Sequence, residues 1–280
     1  MTSFAYSQID VFTEVPLLGN ALAVVHAADA LDTARMQAFA RWTNLSETTF
    51  LLEPTDSAAD YRVRIYTPGR ELPFAGHPTL GSCHAWLAAG GRPQRDEIVQ
   101  QCGVGLVRVR RDGARLAFAA PPRVRSGAVE PALRAQLARS LRIAPAAIRA
   151  AEWVDNGPGW VAVLLGTRAE VLALEPDYAA MRGLEVGVVA PWPGVSADEP
   201  AQVEVRAFIP TLAAAEDPVT GSLNASLAQW LIGAGLAPSR YIASQGTVLG
   251  RAGRVHVEQI GADIWIGGHT VGCIDGRVTL

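Results

Sequence analysis

The feature that most constrains this chain is an internal repeat at half its length. His77-Pro78-Thr79-Leu80-Gly81-Ser82 and Asp217-Pro218-Val219-Thr220-Gly221-Ser222 stand 140 positions apart (77 to 217) in a chain of 280 residues. Upstream, Val63-Arg64-Ile65-Tyr66-Thr67-Pro68 is echoed 142 positions later by Val205-Arg206-Ala207-Phe208-Ile209-Pro210. Downstream, Gly105-Leu106-Val107-Arg108-Val109 is echoed 148 positions later by Gly253-Arg254-Val255-His256-Val257, and both are followed by a Gly-Ala turn. Matches in one order with a slowly drifting offset indicate a duplication. The length accommodates two domains at roughly 100–200 residues each.

The local patterns agree between the halves. Alternating stretches at Tyr61–Tyr66, Leu106–Arg110, Gln202–Phe208 and Arg254–Glu258 predict strands of a half-buried sheet. Each Pro-x-x-Gly-Ser string is expected to open a helix, with Pro78 and Pro218 at the first helical position. His77 and Asp217 are then expected at the N-caps. The two helices run through Leu80, Cys83 and Leu87, and through Leu223, Leu227 and Trp230, with further apolar residues on their other faces. A helix apolar nearly all round is a buried helix. Two further helices, Thr33–Trp42 and Pro131–Leu141, are expected outside.

Composition removes several chemistries. All 24 Lys+Arg residues are arginine. A chain without lysine forms no Schiff base with pyridoxal phosphate or a carbonyl substrate, and supplies no P-loop lysine. The formal net charge of −3 and scattered basic positions give no support for nucleic-acid binding. Three dispersed cysteines fit a reducing compartment. No basic region leads an apolar one at the N-terminus, and no apolar run approaches membrane length. The expectation is a cytoplasmic protein with no membrane partner.

If the halves are related by a pseudo-twofold axis, the starts of the two buried helices can face each other. Each would offer free backbone N–H groups and a positive dipole end to a carboxylate. Asp217 could be a structural cap, since Asp is among the best N-cap residues, whereas histidine is a poor cap and His77 asks for another explanation. Glu216 is read as a solvated neighbour. Glu47, preceded by Ser46, lies between a helix end and a strand, and could be surface decoration or a second carboxylate. Asn20 could be a turn residue or a ligand.

The strings IDVFTEVPLLGNALAVV, NLSETTFLL, RIYTPGRELPFAGHPTLGS, EDPVTGSLNASLAQWL and SQGTVLGRAGRVHVE resemble the motifs of the PhzF-like family of phenazine-biosynthesis isomerases. The resemblance runs from about Ser7 to His256. It implies an α+β, diaminopimelate epimerase-like fold of two pseudo-symmetric domains, each a mostly antiparallel or mixed sheet around a central helix. The implied domains are 1–125 and 126–270, with a C-terminal strand at 271–280 returning to the first. The resemblance also implies Glu47 as principal acid/base, with His77 and Asp217 completing the catalytic set. Asn20, Ser46, Gly76, Pro78, Thr79, Gly221 and Ser222 are the expected substrate-binding residues. No cofactor and no metal is expected, the substrate is a small carboxylate-bearing metabolite, and a homodimer is plausible. Relatives with a two-thiol mechanism carry cysteines near both helix starts, where this chain has Ala75 and Asp217.

The expected reaction is a proton transfer of the trans-2,3-dihydro-3-hydroxyanthranilate isomerase type. Alternatives are an amino-acid epimerase or racemase, a non-catalytic ligand-binding paralogue, and a metal hydrolase using His77, His84 and Asp217. The last is disfavoured because the two histidines are two helical turns apart and no HExxH or HxH string is present.

Overall fold

A computed structural model describes residues 2–181, 183–193, 200–210 and 215–280. The chain divides into two units, Met1–Ala119 with Gly267–Leu280, and Ala120–Ile266. The boundaries thus fall at 119/120 and 266/267, with the Val124 N–H bonded to the Asp155 carbonyl within the second unit and the Phe12 N–H bonded to the His269 carbonyl within the first.

The first unit is built from β1 (Ser3–Val11), β2 (Asn20–Val25), α1 (Thr33–Thr43), β3 (Glu47–Leu52), β4 (Tyr61–Tyr66), β5 (Glu71–Leu72), α2 (Gly76–Ala88), β6 (Ile98–Cys102), β7 (Gly105–Asp112) and β8 (Arg115–Ala119). The second contains β9 (Arg125–Ala128), α3 (Pro131–Ser140), β10 (Ala150–Asp155), β11 (Trp160–Leu164), α4 (Arg168–Leu172), α5 (Tyr178–Met181), β12 (Glu185–Pro191), β13 (Val203–Phe208), β14 (Glu216–Asp217), α6 (Gly221–Gly233), β15 (Arg240–Gln245) and β16 (Gly253–Ile260). β17 (Asp263–Gly268) leads back to the first unit, where β18 (Thr270–Thr279) lies antiparallel to β1.

The pairings repeat. β1–β2 is antiparallel, β2–β3 parallel and β3–β4 antiparallel. β4 pairs with β5 antiparallel and with β6 parallel, and β6–β7 is antiparallel. The series β10–β11, β11–β12, β12–β13, β13–β14, β13–β15 and β15–β16 has the same senses in the same order. The first unit's sheet wraps α2, which packs on β1, β2, β3, β4, β8 and β18. In the second unit α6 packs on β10 and β16. Both helices are 13 residues long and buried through most of their length. Among the described residues, no helix is long and apolar enough to cross a membrane.

The structure corrects the register of the repeat. α2 starts at Gly76 and α6 at Gly221, an offset of 145 rather than 140. The N-caps are Ala75 and Thr220, so neither His77 nor Asp217 is a cap. Pro78 sits one position after His77 inside the first turn of α2, and Pro218 lies before α6 altogether. The two Gly-Ser pairs also do different jobs. Gly221-Ser222 opens α6, whereas Gly81 lies within α2 where a Cβ would collide with Leu22 and Val11 of the enclosing sheet. Short identical strings misaligned the halves because helix boundaries, not letters, are what the duplication preserves.

Glu71 corresponds to Glu216 at the corrected offset of 145, and Arg64 to Arg206 at 142. In the first pair, Arg64 Nε and Nη2 donate to Glu71 Oε1 at 2.7 Å and Oε2 at 2.6 Å. In the second, the same atoms of Arg206 donate to Glu216 at 2.8 Å each. Glu216 is therefore no solvated neighbour: it is buried, while Arg206 also donates to the Val171 and Leu174 carbonyls at 3.1 and 2.8 Å. Removing one partner of a buried pair strands the other charge, at a cost of about 3–5 kcal/mol, whereas half-exposed pairs contribute about 0–1 kcal/mol. Glu216→Ala should accordingly destabilise by several times more than Glu71→Ala. Urea denaturation of both variants tests this, and equal losses would refute it.

Candidate active site

In the first unit the site grows from three elements that meet at the start of α2. α1 ends with Asn44 in the left-handed region at φ 55°, its N–H bonded to the Ala40 carbonyl at 3.2 Å. That turn sends the chain through the half-buried Ser46 into β3, whose first residue is Glu47. β3 is held to the helix by Ser82 Oγ, which donates to Thr49 Oγ1 at 2.9 Å. Asn20 opens β2 and is buried, opposite Val11 of β1. The preceding turn is fastened by the Gly19 N–H, which donates to Asp10 Oδ2 at 3.1 Å.

His77, in the first turn of α2, stands between the other two residues. Its Nδ1 lies 3.3 Å from Asn20 Nδ2, and its Nε2 lies 3.4 Å from Glu47 Oε2. An amide NH₂ only donates, so Nδ1 is the unprotonated nitrogen and the single ring proton sits on Nε2, facing the carboxylate. The 3.4 Å separation exceeds a formed hydrogen bond of about 2.7–3.2 Å. Among the described residues Nε2 makes no hydrogen bond. Burial pushes the imidazole from 6.5 down to about 3. The positive end of α2 opposes the cation as well. The ring is therefore neutral at ordinary pH, with a donor aimed at Glu47.

The expected anion-binding amides are reduced by the helix geometry. Pro78 has no N–H, and the Thr79 N–H and hydroxyl both donate to the Ala75 carbonyl, at 3.2 and 2.9 Å. Gly76 and His77 alone supply first-turn N–H groups from this helix. Pro78 and Thr79 therefore leave the set of backbone donors to substrate.

The second unit carries Asp217 at the end of β14, buried and three residues before the cap Thr220. Thr220 Oγ1 donates to Asp217 Oδ2 at 2.6 Å. Gly221 and Ser222 open α6, and Ser222 Oγ accepts from Trp160 Nε1 at 3.1 Å. Its carbonyl accepts from Asn156 Nδ2 at 2.9 Å. Trp160, Asn156, Thr220 and Gln245 were not singled out from the sequence. The offset of 145 would have pointed to Gln245, which matches Gln100, whereas no local pattern marks Asn156 or Trp160.

The neutral His77 has consequences for acid stability. Its folded value lies below the ordinary 6.5 at about 3, so between those limits the unfolded chain binds the extra proton. Stability from this group is complete above pH 6.5 and falls as pH drops towards 3, with a slope approaching about 1.4 kcal/mol per pH unit. His77→Gln should flatten the loss of urea stability between pH 7 and 5. In ¹⁵N spectra His77 should show the Nε2–H tautomer throughout that range. A cationic ring at pH 6 would contradict the assignment.

The sequence profile of the phenazine biosynthesis-like protein family, PhzC-PhzF, matches residues 9–276. Antisense-enhancing sequence 1 of Schizosaccharomyces pombe is 34% identical, over 99% of this chain and 99% of its own length. The trans-2,3-dihydro-3-hydroxyanthranilate isomerase of Pseudomonas aeruginosa is 32% identical, over 98% of this chain and 99% of its own. The crystal structure of a phenazine biosynthesis protein of the PhzF family from Enterococcus faecalis superposes with a TM-score of 0.81 at 26% identity, covering 100% of both chains. This agreement in fold and sequence bears out the epimerase-like α+β architecture. A profile match across nearly the whole length, joined to full-length relatives above 30% identity, places this chain in the phenazine biosynthesis-like family of isomerases.

Proposed function

We propose that this protein isomerises a small carboxylate-bearing metabolite of the trans-2,3-dihydro-3-hydroxyanthranilate class by acid/base proton transfer, with Glu47 moving the proton. The observation that carries this reading is the Glu47 carboxylate 3.4 Å from the Nε2 of the buried His77. Glu47 removes a proton from a carbon activated by the substrate's conjugation, and the bonding electrons enter the π system. The protonated Glu47 then delivers the same proton to another carbon of that system, so atoms and charge balance with no external reagent. His77, neutral and oriented by Asn20, presents its Nε2–H to the Glu47 carboxylate at 3.4 Å. The Gly76 and His77 N–H groups bind developing negative charge, which is the electrostatic contribution such donors make. Asp217 is assigned as the second titratable group of the reaction, with Gly221 and Ser222 beside it as substrate-binding residues.

A positioned acid/base group contributes about 10²–10⁴ in rate. Glu47→Gln should lower kcat by at least about 10² while substrate affinity changes little. With trans-2,3-dihydro-3-hydroxyanthranilate as substrate in D₂O, NMR of the product should place any solvent deuterium at one ring carbon. Normal turnover by Glu47→Gln would remove Glu47 from the mechanism. No conversion of this substrate by the wild-type protein, with proton exchange on another carboxylate, would move the substrate assignment and leave the acid/base role standing.

A further inference from the structure

A buried hydrogen-bond network in the second unit points to two residues with no role so far. Gln245 ends β15 and is fully buried. Its Oε1 accepts from the Thr220 N–H at 3.0 Å and from Asn224 Nδ2 at 2.9 Å. Its Nε2 donates to the Asp217 carbonyl at 3.0 Å and to Thr220 Oγ1 at 2.9 Å. Every donor and acceptor of this amide is in use. Two of the partners are main-chain groups of fixed polarity, an N–H that only donates and a C=O that only accepts, so the amide has one orientation.

That orientation sets the direction of the next bond. Thr220 Oγ1 already receives a proton from Gln245, and its own proton points to Asp217 Oδ2 at 2.6 Å. This is the length of a hydroxyl donating to an ionised carboxylate, about 2.5–2.7 Å. The sequence of donors runs from amide to hydroxyl to carboxylate, anchored in the backbone at its origin.

The first unit shows that the helix start does not require the last step. At the same offset of 145, Gln100 Nε2 donates to Thr79 Oγ1 at 3.0 Å, and the Thr79 hydroxyl donates to the Ala75 carbonyl at 2.9 Å. Ala75 and Leu72 occupy the places of Thr220 and Asp217. The glutamine frame is common to both halves, and the hydroxyl-to-carboxylate branch belongs to the second alone.

We propose that Thr220 and Gln245 are positioning residues that hold Asp217 as a carboxylate and commit its Oδ2 to the Thr220 hydroxyl. The catalytic meaning of this arrangement rests on the acid/base role proposed for Asp217, while the arrangement itself is tested without substrate. The full-length protein, labelled with ¹³C at aspartate carboxyls, is titrated by NMR, the Asp217 resonance being identified by its loss in Asp217→Asn. Thr220→Val should raise the Asp217 midpoint by about one pH unit, because the charged form loses a donor. Thr220→Ser should restore it, and Gln245→Met should raise it by less, since the hydroxyl survives but is free to turn away. An unchanged midpoint in Thr220→Val overturns the proposal, as does a serine variant that titrates like valine. If Gln245→Met does not fold, the two Thr220 variants decide alone. Wild-type turnover in Asp217→Asn would instead remove Asp217 from the reaction and leave the titration result intact.

Discussion

Everything in this molecule follows from two 13-residue helices that have no polar face. Such a helix cannot sit on a surface, so sheet has to close around it. Enclosure then exposes a problem at the helix start, where the first-turn N–H groups have no intrahelical acceptor and no access to bulk water. The sheet that buries the helix must also supply polar partners there. In the first unit Gln100 of β6 donates to Thr79, and the interior strands β2 and β3 carry Asn20 and Glu47. In the second, Gln245 of β15 accepts from the Thr220 N–H, and β14 carries Asp217. Polar chemistry in an apolar interior is thus a consequence of how the core is closed.

The duplicated frame has diverged in a chemically consistent way. Both halves keep an arginine forked onto a glutamate from the neighbouring strand, and both keep a glutamine that reads the helix start. One copy of the ion pair is half-exposed and the other buried, because α4 and its flanking carbonyls cover Arg206. The first helix start carries a neutral imidazole with its proton fixed on Nε2. The second carries a carboxylate fed by a hydroxyl. Burial therefore sets one group as a donor, and hydrogen bonding sets the other as an acceptor, without either being an N-cap.

Much of this was legible in the chain. The strands at 61–66 and around 205 and 255, the two buried helices and the outer helices all appear close to where periodicity puts them. The failures are local and have one cause. Asp-Pro and His-Pro look like a cap followed by a first-turn proline, which predicts helices beginning at Pro78 and Pro218. The backbone instead begins helix at Gly76 and Gly221, since Gly76-His77 enters the turn before Pro78 and Thr220 takes the cap before Gly221. Glu216 read as solvated because adjacent charged residues usually are, and its arginine lies ten residues away on β13 with no local sign of the pairing.

By itself the sequence determined that the chain is a duplication, that each half encloses an apolar helix, that lysine chemistry is excluded, and which side chains are candidates for the reaction. These are properties of composition and period, which survive without coordinates because burial demands them. Only the tertiary structure decided the register between the halves, the tautomer of His77, the loss of Pro78 and Thr79 as backbone donors, and the direction of the network ending at Asp217. Each of those depends on which groups from distant strands arrive within about 3 Å of one another. A hydrogen bond's polarity is a property of that meeting, and no spacing along the chain encodes it.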